Sequence, residues 1–446
     1  MKPLKKRSQM LLYACGGMGV NMLNLMMGSY LCSALLIGGF GEKDLPFQTY
    51  LGKDLVIAAV WSVFVLVAKI LDGIIDIPMA SFTDNLKSRF GRRRPALVIG
   101  LVPMVVSFLL FLLVPDRSGA GILNTVYYGL LLCVFYSFYT LTMVTYYATF
   151  TAIVDNEKDR FYISNVKSVC DIVYFILGYV AVRAFLNGTN IRIVALIVLP
   201  IVLTMLIPLF LIKEKSTLDQ DRSAEDKKTV DLVKSLVYTF RNKDFILWML
   251  VYSFMQFGVQ LFLGGINEFF SKVGMNMIFT MVAAFAPVPL TLIIYNKLTE
   301  KRGFGFSFRY TLITYSISMI GMFFIGLLAQ GTAKVVCSIL GGLFASLSIG
   351  SLFSVAYSVP AYLAAEDEKR TGISHSAMYF AVQGLFSGVF SGLATGPVLT
   401  ALKGSEQHPT DAMRYMTLVA AAACLLALVL TFILPKSITG LGKNKE

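Results

Sequence analysis

Two aspartates in one apolar run are the residues whose type and spacing most clearly indicate chemistry in this sequence. Asp72 and Asp76 lie four residues apart in LDGIIDIP, so a helix places both on one face, with Lys69 one turn earlier. Neighbouring carboxylates in an apolar environment are costly unless they share a proton or bind a cation. Since one lysine cannot neutralise two aspartates, we predict a site that binds and releases a proton or a monovalent cation. The alternative is a Lys69–Asp72 ion pair that only orders the helices.

The surroundings of this pair are those of a membrane protein. Of the 446 residues, 56% are hydrophobic and 15% are charged, which is too apolar for an ordinary soluble domain. A helix needs roughly 20 apolar residues to cross about 30 Å of hydrocarbon. The sequence therefore predicts an all-α membrane protein with twelve transmembrane helices, at 10–38, 54–84, 95–115, 124–154, 160–186, 191–212, 245–272, 275–296, 308–330, 334–365, 373–402 and 412–435.

The basic residues predict how these helices are oriented. On an even-helix topology, one side of the membrane holds 29 of the 39 Lys and Arg residues. Because cytoplasmic loops retain positive residues, both termini are predicted to be cytoplasmic, in a bacterial-type plasma membrane. The net charge of +13 then reflects topology, and no nucleic-acid partner is expected.

Other kinds of site find little support in the sequence. The six cysteines fall in predicted spans without paired spacing, so neither a disulfide framework nor a metal site is expected. The phosphate-binding pattern G-x-x-x-x-G-K-[ST] is absent, and no nucleophile motif stands out. The chain is therefore not predicted to be an enzyme or an ATP-driven pump. No cofactor is expected apart from a coupling ion, H⁺ or Na⁺.

Internal echoes divide the chain into two halves. TDNLKSRFG echoes NKLTEKRG, and DNEKDRFYIS echoes EDEKRTGIS about the same distance further on. We predict an N-terminal six-helix bundle at 1–212, a charged cytoplasmic linker at 213–243 and a C-terminal six-helix bundle at 244–446. Six helices per repeat insert in the same orientation, which gives parallel repeats. That is the architecture of the major facilitator superfamily, whose members alternate the access to a solute site.

A family resemblance runs along the whole chain. The segment LDGIIDIPMASFTDNLKSRFGRRRP resembles the helix-two signature of the glycoside-pentoside-hexuronide:cation symporters, the melibiose-permease-like branch of the major facilitators. The segments YACGGMGVN and EDEKRTGIS are similar to further motifs of that family, and so is Asp159-Arg160 followed by Lys167. The resemblance implies a symporter that couples the movement of a sugar or glycoside-like solute to a cation.

The same resemblance implies which residues bind the ion. Asp72 and Asp76 fall on the cation-binding aspartates of the family. Ile75 stands where sodium-coupled members can have an asparagine, and Thr142 or Thr145 could supply part of the missing oxygen coordination. Because an alkali ion needs several oxygens and a proton needs one carboxylate, a proton is a serious candidate.

The solute-binding positions depart further from the family. Asn21, Tyr146 and Lys167 occupy the places of two carboxylates and a basic residue, which weakens any expectation of galactoside specificity. Phe150 could stack on a sugar face or simply fill a helix interface. Gly388, five residues beyond the candidate solute-binding Gln383, stands where many members have a coupling lysine. Its role would pass to Lys69 or Lys167, or be lost.

Several charged residues lie near predicted helix ends, where a structural role competes with a functional one. Asp171 is four residues after Lys167 and could neutralise it. Glu268, beside Asn267, is expected at a solvated helix end. A cytoplasmic gate is predicted for the loop after the second helix, although its positive charge also determines topology. The gate residues are Asp84, Arg89, Arg92, Arg93 and Arg94.

The sequence thus predicts a cation-coupled secondary transporter that works as a monomer in the lipid bilayer. One alternative keeps the fold and makes the chain a proton-coupled exporter or carrier of amphipathic or lipid-like compounds. A second alternative is a membrane sensor or scaffold that transports nothing.

Overall fold

The computed structural model describes residues 4–150, 153, 157–218, 240–371 and 376–441. These residues are almost entirely helical and contain no β-strand, apart from an isolated bridge between Gly404 and Pro409. The Cα packing divides the chain into two compact units. The first unit comprises Met1–Ile37 and Leu45–Lys228, and the second comprises Gly38–Asp44 and Thr229–Glu446.

The first unit has six long helical segments in its described part. Several are uninterrupted α-helices, whereas α1, α5 and α6 combine α-helical turns with π-helical or 3₁₀ turns. The segments are α1 (Arg7–Leu35), α2 (Ala58–Asn85), α3 (Arg93–Phe111), α4 (Ile122–Phe150), α5 (Glu157–Ile176, Leu177–Ala181 and Val182–Phe185) and α6 (Ile191–Leu211).

The second unit also has six long segments in its described part. The α8 segment is bent by 40° at a short break, and α11 contains a π-helical turn. The segments are α7 (Lys243–Gly264, followed by Ile266–Val273), α8 (Met277–Phe285 and Val288–Arg302), α9 (Phe304–Leu327), α10 (Thr332–Thr371), α11 (Ser376–Leu393, Ala394–Val398 and Leu399–Lys403) and α12 (Met416–Leu430).

Asparagine side chains begin three of these helices. The side chains of Asn190, Asn242 and Asn276 accept hydrogen bonds from backbone N–H groups in the first turns of α6, α7 and α8. Those N–H groups have no partner within the helix, so each cap satisfies a donor that would otherwise be lost. Helix starts are therefore fixed locally, at sites that follow loops.

Ten described helices are long and apolar enough to cross a membrane, and the bent α8 makes eleven. The predicted span at 160–186 is helical as α5 but does not pass this test. Its apolar character is interrupted by Lys167, Asp171 and Arg183. The prediction of an all-α membrane fold is confirmed.

The α3 helix shows how each unit meets lipid. Its buried face carries small and aromatic residues, including Gly100, Ser107 and Phe108. Its opposite face exposes Val98, Val102 and Val106. A helix with large exposed aliphatic residues on its outer face is unfavourable in water and stable in hydrocarbon. The outer faces are therefore the lipid-contacting surface of a multi-pass protein.

Four helix pairs that pack together in the first unit have a counterpart in the second unit, with each helix number raised by six. Thus α3 packs on α4 as α9 packs on α10, and α2 packs on α4 as α8 packs on α10. The pairs α1–α6 and α1–α5 likewise correspond to α7–α12 and α7–α11. The six-helix repeat predicted from the two sequence echoes is thus present in the packing.

Candidate functional site

The α2 helix presents Asp72 and Asp76 on one face, and both side chains are half-buried. The Oδ1 atom of Asp72 accepts a hydrogen bond of 2.7 Å from the Oγ1 hydroxyl of Thr140 on α4. Among the described residues, Asp76 makes no hydrogen bond or ion pair. The Thr140 hydroxyl thus holds one carboxylate, and no described hydrogen-bond donor holds the other.

Lys69 is directed at an aromatic ring. Its ammonium nitrogen lies 4.0 Å from the centroid of the Tyr136 ring on α4, a cation–π contact. Within the described part of the chain it forms no ion pair with Asp72 or Asp76. Lys69 and Asp72 are nevertheless close enough for their opposite charges to attract, so Lys69 offsets part of the charge of the pair without a direct contact.

Two threonines predicted as ion ligands donate their hydroxyl protons within their own helix. The Thr142 hydroxyl donates to the carbonyl of Phe138 in its own helix, and Thr142 packs against Gly100 of α3. The Thr145 hydroxyl donates to Leu141 in the same way and approaches Thr83 at 3.2 Å. The hydroxyl that contacts an aspartate is that of Thr140, which the sequence did not single out.

Asn21 on α1 is buried and linked to α4. Its Oδ1 atom accepts a hydrogen bond of 3.1 Å from the Tyr139 hydroxyl. Tyr139 directly precedes Thr140, so consecutive residues of α4 contact a candidate solute residue on α1 and a candidate ion residue on α2. The sequence did not predict this link, because neither Tyr139 nor Thr140 belongs to a recognisable motif.

Tyr146 has a structural arrangement that was not expected. Its hydroxyl donates to the backbone carbonyls of Tyr13 and Ala14, and its ring stacks on Tyr13 with a centroid distance of 5.2 Å. The hydroxyl predicted to face a solute therefore holds α1 against α4. The side chain of Phe150, also predicted at this site, lies outside the described residues.

The remaining polar candidates also form side-chain contacts within the protein. The ammonium of Lys167 contacts the Asp171 carboxylate at 2.5 Å and lies 5.2 Å from the Tyr147 ring centroid. This is the pairing that the four-residue spacing indicated. In the second unit, Gln383 is buried and accepts a hydrogen bond of 3.0 Å from the indole N–H of Trp248.

The arginines of the predicted cytoplasmic gate are anchored within the first unit. Glu214, just after α6, accepts hydrogen bonds of 2.9 Å from the backbone N–H groups of Arg92 and Arg93. A carboxylate at a helix N-terminus is favourable because the N–H groups there are unpaired. Arg94 donates through Nε to the carbonyl of Leu209.

The two remaining predicted gate residues, Arg89 and Asp84, are not described in contact with Glu214. The Arg89 guanidinium lies 4.8 Å from the ring centroid of Phe90. The side chain of Asp84, predicted as the acidic partner of these arginines, lies outside the described residues. Glu214, which the prediction did not include, is the acidic partner that the structure describes.

A buried ion pair in the second unit corrects one expectation. Glu268 and Lys403 are 0% and 3% exposed, and the Lys403 ammonium contacts Glu268 Oε1 at 3.0 Å. Asn267 is buried as well, so the solvated helix end predicted for these two residues was wrong. The Phe40 ring lies 4.4 Å from the same ammonium and helps to shield it from water.

Comparison with known proteins decides the family. The model of the family described as "MFS/sugar transport protein" matches residues 12–439. The chain belongs to this family. A curated relative, "Uncharacterized symporter YnaJ" of Bacillus subtilis (strain 168), is 34% identical over 113 residues. That match covers only 25% of this chain and 23% of the relative.

Solved transporters share the fold. A mutant form of the nucleoside transporter NupG has a TM-score of 0.66 at 12% identity, over 96% of this chain and 98% of that one. The peptide transporter POT, in complex with sulfate, has a TM-score of 0.65 at 11% identity, over 98% and 97%. At this identity the likeness shows the major facilitator fold. The family match makes the protein a multi-pass secondary transporter of a small-molecule solute, and its family is not one of enzymes.

Proposed function

We propose that this transporter is a symporter that couples the inward movement of a sugar or glycoside-like solute to a cation bound at Asp72 and Asp76. The observation that carries the proposal is the burial of these two carboxylates and the groups that contact them. Two carboxylates lie half-buried on one face of a spanning helix, and Thr140 holds one of them. Lys69 attracts Asp72 without a direct contact among the described residues, and its single charge offsets only one of the two. A surplus negative charge at this depth is costly unless a cation neutralises it during the cycle.

The proton is the coupling ion that this site favours. Sodium is bound by several oxygens, and the hydrogen bond described at this pair adds one oxygen, that of the Thr140 hydroxyl, to the two carboxylates. Ile75 brings no oxygen to the intervening turn. A proton needs one carboxylate, and Asp76 provides it.

The link through α4 supports a solute site near Asn21. A buried amide offers both donors and acceptors to a hydroxyl-rich solute, and the Tyr139 phenol adds another polar group. Because Thr140 follows Tyr139 directly, a change at Asp72 can shift the residue that contacts Asn21. The α4 helix would then couple the ion site to the solute site. It would take the place of the lysine that many members of the resembling family have at the position of Gly388.

A second candidate function is a proton-coupled exporter or carrier of amphipathic or lipid-like compounds. It is favoured by the absence of carboxylates at Asn21 and Tyr146, where the resembling sugar symporters have them. The Tyr146 hydroxyl is bonded to backbone carbonyls of α1 and serves a helix contact.

Counterflow in proteoliposomes separates these functions. Vesicles containing the purified transporter are loaded with a methyl glycoside of glucose, galactose, xylose or glucuronic acid, and entry of the labelled compound is followed. We expect exchange of at least one of these glycosides. Exchange of a lipophilic dye alone would indicate the exporter, and no flux of either would refute both candidate functions.

The proposal includes a cellular setting. The distribution of Lys and Arg supports a bacterial-type plasma membrane with both termini in the cytoplasm. Each unit has its own six-helix core, so one chain contains both repeats and can work as a monomer.

A further inference from the structure

Two cysteines that are far apart in the sequence lie side by side in the first unit. Cys15 ends the first α-helical stretch of α1, and Cys170 lies in the middle of α5. Their sulfur atoms are 3.0 Å apart. Since a disulfide bond is about 2 Å long, a closure of roughly 1 Å would join them.

Both thiols are carried by helices whose positions are fixed by other contacts. The Tyr146 hydroxyl holds the carbonyls of Tyr13 and Ala14, directly before Cys15. This first stretch of α1 also packs directly against the α5 stretch Glu157–Ile176, which contains Cys170. The approach of the two sulfurs is therefore a feature of the packed bundle and does not depend on a loop.

The two thiols differ in exposure. Cys15 is half-buried, whereas Cys170 is 8% exposed. A small neutral oxidant reaches Cys15 first, and the buried neighbour can then act as the resolving thiol. This division of roles is the one found at thiol pairs that form disulfides through a sulfenic acid.

We propose that Cys15 and Cys170 are an oxidation site that a peroxide converts reversibly to a disulfide. The sulfur of Cys15 attacks one peroxide oxygen, an S–O bond forms, the O–O bond breaks, and water leaves. The sulfur of Cys170 then attacks the sulfenic sulfur, the S–S bond forms, and the oxygen leaves as a second water. Two thiols and one hydrogen peroxide thus give one disulfide and two waters. A dithiol reductant restores both thiols.

The disulfide would cross-link α1 to α5 beside the candidate solute residues. Cys170 lies between Lys167 and Asp171, and Cys15 is six residues before Asn21. Fixing these two helices restricts the region where a solute would bind, so oxidation lowers transport. This consequence rests on the proposed function, whereas the formation of the disulfide does not.

The chemical step is tested by peptide mapping of the full-length transporter in lipid nanodiscs. The protein is treated with hydrogen peroxide, alkylated and digested without reduction, and a peptide joining residues 15 and 170 is sought by mass spectrometry. We expect this cross-link to form, to disappear with dithiothreitol, and to be absent in Cys15→Ser and Cys170→Ser. The matched control is Cys133→Ser, on α4 of the same unit, which should still form it.

Thermal unfolding provides a second readout. Oxidation should raise the melting temperature of the wild type and of Cys133→Ser, and leave that of Cys15→Ser unchanged, because a cross-link restricts the unfolded chain. Full alkylation of Cys15 and Cys170 after peroxide treatment would overturn the proposal, and so would cross-links to other cysteines at equal yield. Folding of each serine variant is checked by its melting temperature before oxidation.

Control of transport is tested separately by counterflow of the methyl glycosides named above. Oxidation should reduce the exchange several-fold in the wild type, dithiothreitol should restore it, and Cys15→Ser should be unaffected. Unchanged exchange in a fully cross-linked protein would refute this control while the disulfide itself stands. If no glycoside exchanges at all, the proposed function fails, and peptide mapping still decides the disulfide.

Discussion

At the scale of single residues, the Thr140 hydroxyl is the part of the ion site most open to test. We expect Thr140→Val to change the ion concentration for half-maximal uptake about tenfold, because a hydrogen bond to a charged group contributes roughly 1.5–3 kcal/mol. For sodium this concentration rises, since an oxygen ligand is lost. For protons it falls, since the hydrogen bond made only to the ionised carboxylate is gone. Uptake into proteoliposomes at graded pH and sodium measures both.

The matched control for this variant is Thr142→Val, two residues further along α4. Its hydroxyl is bonded to the Phe138 carbonyl, so the ion dependence should stay that of the wild type. An equal effect of the two substitutions would show that the contact between Thr140 and Asp72 has no part in ion binding.

The sequence placed the two aspartates correctly on one helix face but could not select their partner. α4 carries threonines at 140, 142, 145 and 149, and successive residues of a helix point about 100° apart. Which of them faces α2 depends on the rotation of α4, and that rotation is set by packing. A local sequence pattern contains no information on this angle.

The buried pair of Glu268 and Lys403 gives a second prediction at this scale. Glu268→Gln should lower the free energy of unfolding by about 3–5 kcal/mol, because it leaves a buried ammonium without its counter-charge. The double variant Glu268→Gln with Lys403→Met should recover part of this loss. Unfolding in detergent, followed by circular dichroism, measures all three proteins.

A surface pair on the same helix serves as the control. Lys272 contacts Asp411 at 3.4 Å, and their side chains are 31% and 53% exposed. Lys272→Met should cost under about 1 kcal/mol, since water screens such a pair. A loss of stability as large as that of Glu268→Gln would contradict the importance given to burial.

At the scale of helices, close contact between α3 and α4 depends on a glycine. A Cβ atom at Gly100 would lie 2.4 Å from the hydroxyl and 3.0 Å from the backbone nitrogen of Thr142. We expect Gly100→Ala to force these helices apart and to lower the free energy of unfolding by about 1–3 kcal/mol. Thermal unfolding in detergent measures the change.

The comparison variant is Gly321→Ala on α9. No atom lies within 4 Å of a Cβ built there. Alanine should therefore be neutral or stabilise the helix by up to about 1 kcal/mol, because it loses less backbone entropy than glycine. If both variants unfolded at the same temperature, the close α3–α4 contact would not be a source of stability.

Helix positions followed from hydrophobicity far better than helix contacts did. The predicted span 54–84 corresponds to Ala58–Asn85, and 308–330 corresponds to Phe304–Leu327. Apolar length alone fixes such segments. By contrast, the contact of Cys15 with Cys170 joins α1 to α5, and no spacing within the sequence indicates it.

At the scale of the whole molecule, the repeat was visible in the sequence and recurs in the packing. π-helical turns begin at residue 177 in α5 and at residue 394 in α11, which are the fifth helices of their repeats. Such turns are often found at functional sites. Two short echoes sufficed to detect the duplication because loop motifs retain charge and glycine patterns.

The membrane orientation can be tested with two introduced cysteines. In a background without the six native cysteines, Ser118→Cys lies in the exposed loop between α3 and α4, and Ser216→Cys lies in the exposed segment after α6. With both termini in the cytoplasm, a membrane-impermeant maleimide applied to intact cells should label residue 118. Residue 216 should be labelled only after permeabilisation, and the reverse pattern would refute the orientation.

The central claim is that Asp72 and Asp76 bind the coupling ion, and Asp76→Asn tests it most directly. In proteoliposomes, this variant should keep solute counterflow and lose accumulation driven by an imposed proton or sodium gradient, because its amide has no charge to neutralise. Asp116→Asn, in the loop between α3 and α4, should keep both activities. Uphill accumulation by Asp76→Asn at the wild-type level would contradict the account.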